Sequence, residues 1–132
     1  MTADVGTRPE GVGVAHSPET PSAAEWLASA RSSFAAGDVD EAVRAVVQVA
    51  DARTPFPLWA AAAGALKKFT SQQAPAARRT ARLAIAGSYT TAQLGPLLQL
   101  AALRRGLHLE VYECGFGLST QEVLDPGSAL HR

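Results

Sequence analysis

A chain of 132 residues, 47% hydrophobic and 18% charged, carries apolar material for one globular domain and no run near the roughly 20 apolar residues of a membrane span. Its single cysteine excludes an internal disulfide and a cysteine-built metal site, and with 6% aromatic residues and much alanine the core must be thin. The zero net charge hides a division: residues 1–51 hold eight acids and three bases, residues 52–109 eight bases and no acid, and residues 110–132 are net negative again.

The N-terminus is polar, without the apolar core of a secretory signal, so a cytoplasmic location is expected. Residues 1–20 are rich in Gly, Pro, Thr and Glu and show no apolar periodicity; a disordered lead is expected there. Residues 21–72 read as a three-helix subdomain. Ser22-Ala-Ala-Glu25 fits a capping box, in which hydroxyl and carboxylate satisfy each other's free backbone N–H groups. Trp26, Ala30 and Phe34 then recur every four residues on one face, and Gly37 supplies the stop. Asp38, with Glu41 three residues on, caps a second helix whose apolar face is Ala42, Val43, Val46, Val47 and Ala50; Thr54-Pro55 ends it. A third helix is expected from about Pro57 to about Gln72, with Trp59, Ala62, Leu66 and Phe69 inward. Ala30, Phe34, Gly37, Asp38 and Ala42 have the offsets of one tetratricopeptide-type hairpin, which the first helix pair resembles. With no second copy to stack on, an ordinary αα-hairpin is the simpler account.

Residues 73–81 read as a linker. The period then changes: Arg82-Leu-Ala-Ile-Ala-Gly87 is a short apolar run ending in glycine, the mark of a buried strand. After a turn at Ser88-Tyr89-Thr90, Thr91 is the expected N-cap of a helix with Leu94, Leu97, Leu98 and Ala101 inward and Pro96 near its first turn. Arg104 and Arg105 suit its C-terminus and Gly106 stops it. Leu107–Tyr112 alternates as a second strand, and so short a crossover predicts parallel pairing. A loop over Cys114–Leu118 leads to a second capping box at Ser119-Thr-Gln-Glu122, and Asp125-Pro-Gly127 forms a turn. The fold class is thus α/β: a helical subdomain, then an incomplete parallel βαβ unit over residues 82–132. Two parallel strands leave an uncovered face and open edges, so cover by the three N-terminal helices, further strands, a covering partner or self-association is expected.

Across residues 82–132 the chain resembles the opening of FkbH-like proteins, members of the haloacid dehalogenase superfamily (HAD-IIIC) associated with polyketide pathways. The resemblance is carried by Gly87-Ser88 with Thr90-Thr91, by Leu103-Arg104-Arg105-Gly106-Leu107, by Glu110, Tyr112-Glu113 and Phe116-Gly117, and by Gln121 to Pro126 with Ser128-Ala-Leu130. It implies a flavodoxin-like or SGNH-hydrolase-like N-terminal domain. In the family a phosphatase-like domain follows, which dephosphorylates a glycerate phosphate and moves the glyceryl group to an acyl carrier protein. The nucleophile motif of that domain, Asp-x-Asp-x-Thr, is not matched: the one Asp-x-Asp, Asp38-Val-Asp40, opens a helix and lacks the threonine. An SGNH-type Gly-Asp-Ser laid on Gly87 places Ser88 at the aspartate and Tyr89 at the nucleophile, and His131 has Ser128 where an Asp would stand. No catalytic residue, metal or cofactor is assigned.

The leading expectation is therefore an accessory or scaffold segment of a glyceryl transferase/phosphatase, docking an acyl carrier protein or a catalytic partner chain. The alternatives are the family's own phosphatase or transferase activity and a small anion-binding module. For docking the candidates are Lys67, Lys68, Arg78, Arg79 and Arg82, whose bland role is pairing with acids of the flanking segments. For an anion they are Ser88, Thr90 and Thr91, between a strand end and a helix N-terminus, where the same hydroxyls serve equally as helix caps. His108 reads as a sheet-face side chain and Cys114 as a small packed thiol. Neither nucleic acid nor membrane is expected as a partner.

Overall fold

The computed structural model describes residues 19–51, 53–88 and 90–132, so the expected disordered lead, save its last two residues, and Tyr89 lie outside the described residues. Five helices and a two-stranded parallel sheet follow in the order α1 (Ala23–Ala35), α2 (Val39–Asp51), α3 (Phe56–Thr70), β1 (Arg79–Ile85), α4 (Leu94–Leu103), β2 (Leu107–Glu113) and α5 (Ser119–Leu124), with a closing 3-10 turn at Ala129–His131. The architecture is α/β, with a helical N-terminal part ahead of an incomplete βα unit.

The first capping box forms on both sides: Glu25 N–H donates to Ser22 Oγ at 3.3 Å, and Ser22 N–H to Glu25 Oε2 at 2.6 Å. Gly37, at φ +85°, makes the left-handed turn that ends α1, a conformation costly for any residue with a Cβ. Asp38 then accepts the Glu41 N–H at 3.0 Å and starts α2. Alanines let α1, α2 and α3 approach closely. Ala30, Ala42, Val46, Val49 and Ala62 are wholly enclosed, and Leu66 and Phe69 fill the centre. Phe69 stacks on Phe34 with ring centroids 4.4 Å apart. Val49 rather than Val47 completes the inner face of α2, and Trp26 and Trp59 pack only at its margin. Leu100 and Leu103 of α4 join the same apolar cluster, so the helical front and the βα unit share one core.

Strand β1 begins three residues earlier than its apolar run: Arg79, Thr80 and Ala81, expected in the linker, pair with Leu107, His108 and Leu109. The pairing is set by backbone. Arg78 and Arg79 both donate to the Gly106 carbonyl, at 3.0 and 3.3 Å, and this needs no apolar side chain. The face of β2 bearing Leu109, Val111 and Glu113 meets α4, whose Gln99 amide donates to the Leu109 carbonyl at 3.0 Å. The opposite face carries Arg82 and Glu110, 3.9 Å apart.

Helix α4 departs from expectation at its start and in its rotation. Thr91 accepts the Leu94 N–H at 2.8 Å through its carbonyl, the helix starts at Leu94, and no side chain caps it. Leu100 and Leu103 are the buried leucines, whereas Leu94 and Ala101 are exposed. The reason is that α4 lies between β2 on one side and α2 and α3 on the other, so its buried arc spans two directions. The second capping box does not form either. Ser119 is the first helical residue, and Glu122 instead accepts the Tyr112 hydroxyl at 2.7 Å and the Gly115 N–H at 3.4 Å.

Candidate functional site

The carboxyl end of a parallel sheet is where loops converge over backbone N–H groups, and the β1–α4 loop arrives there. Thr90 and Thr91 line a cavity of about 220 Å³ together with Glu113, Cys114 and Phe116; Ser88 is exposed and does not line it. A Cβ built on Gly95, in the first turn of α4, would lie 2.9 Å from Glu113 Oε1. The positive end of the helix thus already faces a carboxylate of the chain itself, and an added anion would share the cavity with that charge. Two of the three anion candidates are brought together, but among the described residues no cationic side chain lines their cavity.

Beside this cavity sits a hydrogen-bonded staple. Tyr112 donates to Glu122, a bond that holds its hydroxyl above the ordinary tyrosine value because the phenol must keep its proton to make it. Cys114 is buried at the end of β2, its N–H donating to the Ile85 carbonyl at 2.9 Å. Burial first, and the Glu122 carboxylate second, push its thiol up. A thiol so placed is a poor nucleophile, since the thiolate is the reactive form. Asp38 is spent on capping α2, and Asp40 is exposed in its first turn. Among the described residues no group of three His, Cys, Asp or Glu side chains is placed to hold a metal ion. His108 lies half-buried beside Thr80 in the sheet, and His131 Nε2 is 3.1 Å from the Val123 carbonyl.

The five docking candidates fall into separate places. Lys67 and Lys68 lie in the last turn of α3, a position favoured by the helix dipole. Lys67 borders the N-terminal end of α4 through Gly95 and Pro96, whereas Arg78 meets Gly106 beyond its C-terminal end. Ten residues of helix, about 15 Å, separate them. Arg82 is opposite Glu110 on the outer sheet face. The register of β1 on β2 brings a different set together: Arg78 and Arg79 enter the sheet beside Gly106, directly after Arg104 and Arg105. All four arginines are exposed at this foot of the sheet. The pair Arg104-Arg105 reads in sequence only as a helix terminus; the parallel register is what makes it a neighbour of Arg78-Arg79.

No family model matches this chain, and neither a curated protein nor a solved structure matches it. Among the described residues no helix is long and apolar enough to cross a membrane.

Proposed function

We propose that this chain is the N-terminal accessory segment of an FkbH-like protein, acting in the cytoplasm without a catalytic site of its own and docking an acidic acyl carrier protein or partner enzyme. The observation that carries the reading is the arginine foot of the sheet. Arg78, Arg79 and Arg105 are exposed there, and among the described residues they make no ion pair. They belong to a stretch of 58 residues, 52–109, without one acid, so no sequence neighbour offsets their field. Arg82, within ion-pair range of Glu110, contributes less than its sequence position promised. The family resemblance of residues 82–132 supplies the partner class.

Exposed charges are screened beyond about 8 Å at physiological salt, so the docking must be weak and salt-sensitive. Titration of the chain with an acidic acyl carrier protein should give binding at low salt that fades at high salt. The double variant Arg78→Glu/Arg79→Glu should weaken it at least tenfold; affinity indifferent to both salt and reversal would refute the reading. The purified chain should also hydrolyse neither aryl phosphates nor short acyl esters above background, and turnover abolished by Ser88→Ala would restore an esterase.

A further inference from the structure

The outward side of α3 is a surface that the reading above does not use. Its exposed positions Phe56, Ala60, Gly64 and Lys67 form a low ridge, with Phe56 65% exposed at one end. Two apolar recesses flank this ridge and share Gly64. One, about 450 Å³, lies between α1 and α3, with Phe34, Ala61 and Phe69 in its wall beside Arg31 and Lys68. The other, about 380 Å³, lies between α3 and the start of α4, with Phe56, Ala60, Pro96 and Leu97 in its wall beside Lys67. Among the described residues no carboxylate lines either recess, and Arg31, Lys67 and Lys68 make no ion pair. Lys67 also borders a third recess with Glu113, again without an ion pair.

We propose that this double recess is a docking groove for one acidic amphipathic helix of a partner protein, its apolar side chains seated on both sides of Gly64 and its carboxylates against Arg31, Lys67 and Lys68. Charge complementarity selects the occupant: among the described residues three cations and no anion line two apolar recesses. Lys67 and Lys68 also complement the dipole of α3, but Arg31 lies before the last turn of α1 and has no such role. The Lys68 ammonium is 5.7 Å from the Phe34 ring centroid, so the charge stands directly over the apolar recess. Gly64 supports the same occupant. A Cβ there would meet nothing within 4 Å, so nothing among the described residues requires glycine, and alanine would favour the helix. A glycine at the shared edge lets a second helix approach closer than the usual interaxial distance of about 8–10 Å. A helix antiparallel to α3 would bring acids of its own first turn, where they are most stable, to the lysine end. This inference does not depend on the arginine foot of the sheet.

The test titrates the isotopically labelled full chain with a synthetic helix carrying leucine at i, i+3, i+4 and i+7 and glutamate elsewhere, against a lysine-for-glutamate version and a scrambled one. Amide shifts should concentrate at Arg31, Gly64, Lys67 and Lys68. Gly64→Leu and Lys67→Glu/Lys68→Glu should each weaken binding at least tenfold, and Arg78→Glu/Arg79→Glu should leave it unchanged. Gly64→Ala should melt at a higher temperature and weaken binding less than Gly64→Leu, which separates a blocked groove from a damaged fold. Equal binding of the lysine or scrambled helix, undiminished binding by Gly64→Leu, shifts centred on Arg78 and Arg105, or no binding at millimolar peptide would each overturn the proposal.

Discussion

The helical front and the βα rear are packed to different depths. In α1–α3 five small side chains are wholly enclosed around Leu66 and Phe69, because alanine and valine let three helices close on one another. The sheet contributes only Ile85 to the buried apolar set, with Cys114 just past β2, and the chain beyond it leaves Phe116 and Leu124 77% and 76% exposed. Helix α4 belongs to both halves, giving Leu100 and Leu103 to the front while its other side lies on β2. The contrast shows where stability and where recognition can reside. The front holds the fold, and the rear, with less buried area, carries exposed arginines and loop ends that can adjust to a partner.

The sharpest way to break this comparison is to truncate one core residue in each half. Phe69→Ala should cost about 3–5 kcal/mol, since it removes a buried ring and its stack on Phe34. Ile85→Ala should cost nearer 2 kcal/mol, at the low end of buried aliphatic truncations, because its surroundings are only half closed. Urea denaturation followed by circular dichroism measures both. Equal costs would mean that the rear is as tightly packed as the front.

A finer comparison sets side by side two of the three left-handed glycines among the described residues, leaving Gly117 aside. Gly37 at φ +85° turns α1 into α2, and Gly106 at φ +71° turns α4 into β2. Alanine at either should cost about 1–2 kcal/mol, the penalty of a Cβ in that conformation. The consequences should differ in place. At Gly106 the carbonyl that receives Arg78 and Arg79 would shift, so amide exchange should accelerate at the start of β1. At Gly37 it should accelerate at the first turn of α2 instead. Identical exchange patterns in the two variants would show that the halves unfold as one unit.

What could be read from the sequence follows the same divide. Local signals in the front set where α1 and α2 begin and where α1 stops, though not which valine or tryptophan packs inward. Ser22 with Glu25, Gly37 and Asp38 act only on backbone a few residues away, and each does what its spacing predicts. In the rear, tertiary contacts override local ones. Arg79 and Thr80 carry no apolar signal yet join β1 because Gly106 offers a carbonyl. Glu122 leaves its expected capping role because Tyr112 is within reach. The rotation of α4 depends on having neighbours on two sides, which periodicity about a single face does not encode. The docking candidates show the same divide: Lys67-Lys68 and Arg78-Arg79 are near in sequence, whereas the start of β1 lies against Gly106, which follows Arg104-Arg105 in the chain.

The smallest effect expected is also the most diagnostic, because the two halves should fail at opposite ends of the pH scale. In the front, Glu25 is held below its ordinary value, first by the Ser22 backbone N–H and then by the Ser22 hydroxyl. A carboxyl whose folded pKa lies below its unfolded one stabilises the fold above the unfolded value, and that contribution fades as pH falls through the folded value. In the rear, Tyr112 is held above its ordinary value by the bond to Glu122, and Cys114 is raised chiefly by burial. Groups raised on folding stabilise below their unfolded values, and the contribution is lost as pH rises through the folded ones. Acid should therefore loosen the start of α1 first, and alkali the junction of β2 with α5. Melting temperature against pH should lose part of its acid limb in Glu25→Gln and part of its alkaline limb in Tyr112→Phe. Amide exchange should place the first change at Trp26 in acid and at Gly115 in alkali, since these N–H groups border the two bonds. If Tyr112→Phe altered the acid limb, or if both extremes opened the same residues, the separate response of front and rear would be wrong.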